Sequence, residues 1–391
     1  MHILEIPSFF PPSGGLFCLD QAKALVLQGH EVRILSNVQM GLTIGLKDYL
    51  SLPYKRFEHT IDGVTVIQSY QRGLPRVVRY NAERWVAIVR SMFREYVEKY
   101  GRPDILHAHC AKWAGYAAML ISDEYQIPYV ITEHLSRMLL EEELEKSPGH
   151  AWQVPLLKQA YEQSGRVIHV SEELANDTAR YYGRDYNWQY LSNTIDTDFF
   201  HYQLRQPHEG RPFRFCCLAN YSFLKGYDVL FEAYRKLQDE ALDIQLLIAG
   251  QFTDARQCRH EIERLQLKGV KTYGKVDKQM VRDILYQSDA LVLASRSEVQ
   301  PLVLLEAMST GIPVVSTEVV PRCQRIKGTT IVSVGDADAL AVAMREVIGH
   351  PLPDGKALSE AVRQMASPEV IGRELTSVFS EVTNTRSNSL C

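Results

Sequence analysis

SRSEVQPLVLLEAMSTGIPVVS, residues 295–316, is the stretch on which the reading of this chain turns. It follows the apolar run DALVLA and places Glu298 and Glu306 eight positions apart, the first in a polar loop and the second in a short helix. The helix opens near Pro301, where proline suits the first turn, and closes at Gly311. IPVVS then returns as a buried strand. A strand–loop–helix–strand unit brings its loop and first helical turn to the carboxyl edge of a parallel sheet, where open α/β sheets bind ligands. A carboxylate in the loop and another in the helix can accept hydrogen bonds from two polyhydroxylated rings of one ligand. The helix N-terminus between them carries partial positive charge suited to phosphate. A nucleotide sugar has this chemistry. Two glutamates at such a spacing are common in isolation; the ordered context of strand, loop, proline, helix and strand gives them weight.

Outward from this stretch, the bulk properties narrow the classes. The 391 residues suffice for two domains of about 150 to 200 residues each. With 46% hydrophobic and 23% charged residues, the composition is that of a soluble globular protein. A net charge of −4 argues against nucleic acid as the main partner. No apolar run approaches the roughly 18 residues of a membrane span. MHILEIPSFFPP reads as a first strand and loop rather than a signal peptide, because Glu5 interrupts it and no basic region precedes it. The seven cysteines form no C-x-x-C pair, which fits a reducing, cytoplasmic setting and argues against structural zinc.

Strand and helix signals alternate along the whole chain. HILEI, VRILS, VTVIQ, DILHAH, IPYVIT, RVIHV and WQYLS read as strands of a first domain. A helix is expected from Gly15 to Gln28, a long one from Asn81 to Tyr100, and another opened by Ser171; Asn37–Gly63 gives mixed signals. FRFCCLA, IQLLIAG, VKTYG, ALVLA, IPVVS and TIVSV read as strands of a second series. Continuous apolar strands separated by helices make parallel sheets covered on both faces. The expected organisation is a Rossmann-like domain over residues 1–195, a turn-rich linker over 196–212 and a second Rossmann-like domain over 213–391, an α/β protein throughout.

The segment from DALVLA through LLEAM to TGIPVV is similar to the signature of retaining glycosyltransferases of family 4, and five or six short motifs extend the resemblance across the chain. It implies the GT-B fold, two Rossmann-like parallel-sheet domains with a cleft between them and a last helix returning to the first. It also implies that Glu306 receives ribose hydroxyls and that Glu298 contacts the transferred sugar, while Val299, Gln300, Pro301 and Leu302 complete the donor loop. Here the loop reads Glu-Val-Gln-Pro where relatives often have Glu-Gly-Phe-Gly or Glu-Gly-Phe-Pro; Val299 narrows the backbone angles available, so donor identity does not carry over.

The remaining motifs fit the same frame. Gly14 and Gly15, between the first strand and first helix, let backbone N–H groups approach a ligand; they are not the G-x-G-x-x-G of dinucleotide binding. The resemblance sets them against the donor diphosphate and the acceptor. Lys225, in LANYSFLKGYDV, offers a mobile ammonium to a diphosphate and occupies the family's phosphate-lysine position. Asn220 stands where many relatives have a second cation, an arginine. His107 and His109, two apart on a strand, face one way. His107 reads as a core histidine, whereas the resemblance gives His109, followed by Gly115, a contact with the donor sugar. His134 lies past another strand, on the acceptor side or as a structural residue, and Gly250 lets backbone approach the base. The triplets Asp196–Asp198 and Asp336–Asp338 read as linker and helix cap, and no metal or other cofactor is expected.

The resemblance thus makes Glu298, His109 and Lys225 the catalytic set, with front-face transfer in which the leaving phosphate takes the acceptor proton. The acceptor is a saccharide or a lipid-linked sugar in surface polysaccharide or glycan synthesis. The basic segment from Arg72 to Arg94, with Trp85, Val89 and Phe93 on one side of its helix, suits either peripheral docking at the inner membrane face or an anionic acceptor. The alternatives are a sugar-nucleotide epimerase of the same fold and a non-catalytic nucleotide-sugar or glycan-binding protein.

Overall fold

The computed structural model describes residues 1–12, 15–51, 56–146, 150–204, 210–349 and 354–389. It resolves into two units, Met1–Thr194 with Pro368–Cys391, and Ile195–Ser367.

In the first unit eight strands build one sheet: β1 (His2–Pro7), β2 (Glu31–Met40), β3 (Phe57–Ile61), β4 (Val64–Arg72), β5 (Ile105–His109), β6 (Tyr129–Glu133), β7 (Arg166–His169) and β8 (Trp188–Tyr190). Their order is β3-β4-β2-β1-β5-β6-β7-β8. Among the described residues, only the β3–β4 pair is antiparallel. The pleat sorts the strand residues. Leu4, Leu106 and Ile131 face the long helix Val78–Tyr100 and its neighbours. Ile3, Ile105 and Val130 face the helices Phe17–Leu27 and Pro368–Ser389. The last helix therefore belongs to the first unit, where Phe379 and Leu375 are fully buried.

Two parts of this unit differ from the expectation. The stretch Asn37–Gly63 contains the end of β2, a 3-10 turn (Leu42–Ile44), the helix Leu46–Ser51 and β3. β3 is an edge strand whose residues alternate between half-buried and exposed, so its apolar signal is weak. The long helix begins at Val78, three residues before Asn81. The Asn81 side chain bonds Leu74, accepting from the N–H at 2.9 Å and donating to the carbonyl at 2.7 Å. Trp85, Val89 and Phe93 are at most 2% exposed. The apolar side of the basic helix is thus core-facing and offers nothing to a lipid surface; periodicity alone does not tell these two destinations apart.

The second unit has six parallel strands: β9 (Phe213–Leu218), β10 (Ile244–Ala249), β11 (Val270–Thr272), β12 (Ala290–Leu293), β13 (Val314–Thr317) and β14 (Thr329–Val332). Their order, β11-β10-β9-β12-β13-β14, is the doubly wound arrangement with its crevice between the first and fourth strands. The segment expected as a linker packs within this unit. The Ile195 N–H donates to Ala366 at 2.8 Å, and Phe200 is 1% exposed. Two parallel-sheet α/β domains are present, as the strand and helix signals indicate. Among the described residues no helix is long and apolar enough to cross a membrane.

Gly372 marks where the last helix meets the first. A Cβ there would lie 2.4 Å from the carbonyl oxygen of Ala24. In an open helix Gly→Ala stabilises by about 1 kcal/mol, but here overpacking should cost roughly 1–3 kcal/mol. Gly372→Ala should therefore lower the thermal midpoint, and a raised midpoint would show that the two helices are not pressed together.

Candidate active site

In the second unit, successive crossovers leave β9 in opposite directions, so the loops after β9 and β12 flank the point where the strand order reverses. After β9 the chain makes a 3-10 turn, Phe223–Lys225, and Gly226 leads into the helix Tyr227–Asp239 with φ of +65°. A Cβ on Gly226 would sit 1.9 Å from the carbonyl oxygen of Ala294. Only glycine permits that approach. Arg296 ties the same loops together. Its backbone N–H donates to Leu224 at 2.7 Å, and its guanidinium donates to the Phe223 carbonyl and, in a fork, to both oxygens of Asp228 at 2.7–2.8 Å.

This crossing delivers Lys225 to Glu298. The ammonium donates to Glu298 Oε1 at 2.7 Å, and Ser295 Oγ donates to the same oxygen at 2.6 Å. The Glu298 side chain is 8% exposed and that of Lys225 29%. Two residues assigned to one ligand on sequence grounds thus share an ion pair at the crevice. Arg296 does not take the place of the missing arginine, because its guanidinium is engaged with Asp228.

The other donor-side residues take varied positions. Glu306 is half-buried in the helix Leu302–Ser309, and the preceding Pro301 supplies no side-chain cap to that helix. Val299 is half-buried and Gln300 buried; none of the described positive-φ residues falls in this loop, so valine costs it no strain. Asn220 is exposed, and its Oδ1 accepts the Gln251 N–H at 2.9 Å, bracing the loop after β9 against the loop after β10. At Gly250 a Cβ would lie 2.2 Å from the Ala219 carbonyl oxygen, so this glycine is required by a backbone crossing within the unit.

In the first unit, Glu5 on β1 stands in register with His107 on β5, and Pro7 with His109. Residues two apart share a face, and the two imidazole centroids are 4.4 Å apart. Glu5 Oε2 lies 2.6 Å from His109 Nε2 and 2.9 Å from His107 Nδ1. His107 Nε2 meets Thr132 Oγ1 at 2.6 Å, and His109 Nδ1 meets His134 Nε2 at 3.2 Å. Both ring nitrogens of His109 are therefore engaged, and a sugar hydroxyl would reach one only by displacing Glu5 or His134. His107 is the fully buried strand histidine its sequence setting indicated. Gly14 lies outside the described residues. At Gly15 a Cβ would fall 2.5 Å from the Phe17 ring, which stacks on His134 with centroids 5.0 Å apart.

Electrostatics fix the protonation of this cluster. Burial alone would raise the Glu5 carboxyl, but the charge of His107 and the N–H donation of His107 and of His109 outweigh it and hold Glu5 at about 2. Burial, reinforced by the neighbouring His107, lowers His109. Burial and the neighbouring histidines push His134 well below the ordinary histidine value. Glu5, His107 and His109 also present ligand atoms within 4.8 Å of one another, the one metal-capable group among the described residues. Glu5 Oε2, His107 Nδ1 and His109 Nε2 are already bonded to one another in this cluster.

The two sheets thus carry a lysine–glutamate pair in the second unit and a carboxylate–histidine cluster in the first. The model described as "Glycosyltransferase Family 4" matches residues 15–199, and that of "Glycosyl transferases group 1" matches residues 212–350. The chain belongs to the family 4 glycosyltransferases. The putative teichuronic acid biosynthesis glycosyltransferase TuaC of Bacillus subtilis is 25% identical over 350 residues, covering 82% of this chain and 81% of that protein. Glycogen synthase of Mycobacterium tuberculosis is 26% identical over 381 residues, covering 90% and 87%. In fold the chain resembles sucrose-phosphate synthase of Thermosynechococcus elongatus, with a TM-score of 0.77 at 18% identity over 98% of this chain and 100% of that one. It also resembles Anabaena HepE in complex with UDP, with a TM-score of 0.71 at 16% identity over 97% and 100%. The fold is GT-B.

In this glycosyltransferase the aspartate triplets are structural. Asp196 accepts the Phe199 N–H at 3.1 Å and pairs with Lys278 at 2.9 Å, and Asp336 accepts the Ala339 N–H at 2.8 Å where a helix begins. Sequence reasoning missed Glu5, although an acid inside the apolar run HILEI is a visible signal. It also missed Arg296 and Ser295, which no motif marks.

Stability of the first unit should fall with acidification. His109 and His134, like His169, which burial lowers to about 3, take up protons in the fold only at lower pH than unfolded histidines do. Unfolded histidines bind protons from about pH 6.5 downward, so the unfolded chain gains protons there and is favoured. Below about pH 4.5 Glu5 adds to the loss in the same direction, down to about 2. All four tryptophans, Trp85, Trp113, Trp152 and Trp188, lie in this unit, so their fluorescence isolates it. The urea midpoint by fluorescence should drop from pH 7.5 to pH 5. A flat or rising midpoint contradicts the assignment of neutral, buried imidazoles.

Proposed function

We propose that the protein is a retaining, metal-independent hexosyltransferase. It moves a sugar from a nucleotide diphosphate sugar to a saccharide or lipid-linked acceptor in polysaccharide or glycan synthesis. The observation that carries this reading is the Lys225–Glu298 pair at the crevice of the second sheet. An ammonium held by one carboxylate oxygen is stored close to where a diphosphate binds. When the donor enters, Lys225 exchanges Glu298 for phosphate oxygens, and Glu298 turns to the hydroxyls of the transferred sugar. Glu306 receives the ribose hydroxyls, and the uncapped helix start at Leu302 adds its dipole to the diphosphate. Support for this donor class comes from HepE, solved with UDP and with UDP-glucose.

Leaving-group stabilisation is then the main source of rate. The departing phosphate oxygen takes the proton of the acceptor hydroxyl as the new bond forms on the face it vacates, which retains the anomeric configuration. With Asn220 braced on the Gln251 backbone, Lys225 is the principal side-chain cation in this step. The cytoplasm suits this chemistry and the chain's cysteines, since those described are free.

Incubation with a panel of UDP- and GDP-sugars tests the reading. Transfer or slow donor hydrolysis supports it, interconversion of donors indicates an epimerase, and binding without turnover indicates a binding protein. With the active donor, Lys225→Ala should lower turnover roughly a hundredfold, and Glu306→Ala should weaken donor affinity by about 1.5–3 kcal/mol. Unchanged turnover or affinity removes the corresponding residue from the mechanism. A chelator should leave the rate as it was; loss of activity restored by a divalent cation would point instead to metal at Glu5, His107 and His109.

A further inference from the structure

The histidine cluster in the first unit has a direction, and its origin is a residue to which no role has been assigned. Glu5 is completely buried, is ionised, and donates no hydrogen bond. Both imidazole nitrogens that face it must therefore carry protons, Nδ1 of His107 and Nε2 of His109. His109 is neutral, so its other nitrogen, Nδ1, holds a lone pair. The group at that lone pair is Nε2 of His134, at 3.2 Å. His134 must then place its proton on Nε2, which leaves Nδ1 as an acceptor. That atom is enclosed and has no hydrogen-bond partner among the described residues. His107 does not compete with this order, because Thr132 adapts to it, a hydroxyl being donor or acceptor as required.

An enclosed acceptor without a donor is unfavourable and persists where something else provides the donor. We propose that Glu5 is a positioning residue: through His109 it fixes the tautomer of His134, whose Nδ1 accepts a hydrogen bond from a substrate hydroxyl. That the donor is a sugar hydroxyl rests on the glycosyltransfer reading above. The tautomer order itself rests on the geometry of Glu5, His109 and His134, with Glu5 ionised and His109 neutral at pH 7.5. The other groups against the cluster do not alter the order. The Cys18 thiol lies 3.9 Å from Glu5 Oε2 on the donating side, and Glu133 accepts the backbone N–H of His134 at 3.0 Å, away from its ring. The Phe17 ring, stacked on His134, covers the imidazole face without offering a hydrogen bond.

Long-range proton–nitrogen NMR correlations on the full, nitrogen-15-labelled chain read the tautomers directly, with His134 assigned by comparison with His134→Gln. At pH 7.5 the wild type should show His134 protonated at Nε2 and bare at Nδ1. Glu5→Gln, similar in shape but uncharged and able to donate, should shift His134 to a mixture or to the Nδ1–H form. With the active donor and acceptor, turnover should fall together with this shift, by roughly ten- to a hundredfold, while Glu5→Asp retains more of both. An Nδ1–H His134 in the wild type overturns the proposal, and that measurement needs no variant to fold. An unchanged His134 tautomer in Glu5→Gln also overturns it, even if activity falls, since Glu5 would then be merely structural. The expected tautomers in a protein that turns over no nucleotide sugar leave the relay supported and sink the glycosyltransfer reading instead.

Discussion

In the second unit, one steric constraint governs the candidate donor site. The backbone after β9 passes so close to the carbonyl of Ala294 that position 226 has room for hydrogen and nothing larger. That approach fixes the start of the helix Tyr227–Asp239, and Arg296 then clips the two loops with bonds to Leu224, Phe223 and Asp228. The ion pair of Lys225 and Glu298 is a consequence of this crossing. A flexible lysine placed on one loop and a glutamate on another would ordinarily contribute little as a pair. Here both are partly withdrawn from water, and the loops carrying them do not depend on the pair for their position. The site can exchange one partner of the ammonium for another without unfolding its own walls.

The first unit solves a different problem. A carboxylate at the centre of a parallel sheet is costly to bury unless it is fully bonded. Glu5 meets that condition through two imidazoles on the neighbouring strand, in a register set by the β1–β5 ladder. The cost of the buried charge becomes a means of ordering protons, because an acceptor-only group dictates which nitrogen of each neighbour is protonated. The cluster lies at the edge where β1, β5 and β6 end, on the face covered by the first and last helices. Phe379 of the last helix packs edge-on against His107.

Much of the fold was legible because buried parallel strands leave an unambiguous trace. Runs such as FRFCCLA and IQLLIAG are apolar on both faces, and every strand of the second unit falls where its run predicts. β3 left little trace because an edge strand needs only half its residues apolar, and the long helix starts three residues before Asn81, whose side chain is tied to the preceding loop at Leu74. At the candidate site, residue types were readable and partnerships were not. The sequence pattern nominated Lys225 and Glu298 separately, but their contact depends on a crossing between loops 73 positions apart. His109 was nominated by resemblance as a ligand contact, whereas the structure gives both its nitrogens to neighbours. Glu5 was noticed only as an interruption of an apolar run, since nothing local reveals that two histidines a hundred residues later will face it.

The return of the last helix to the first unit has a consequence for how the chain is made. Phe17–Leu27 and Pro368–Ser389 cover the same face of one sheet, and His30 bonds Thr376 across 346 positions. During synthesis on the ribosome, the β1–β5 pair emerges early, yet the last of its covering helices emerges only after the whole second unit. The growing chain therefore carries a partly uncovered apolar surface, on the face of Glu5 and its histidines, while the second unit is being made. Domains that fold in order as they emerge avoid such exposure; here the first unit is sealed only after the second has been translated.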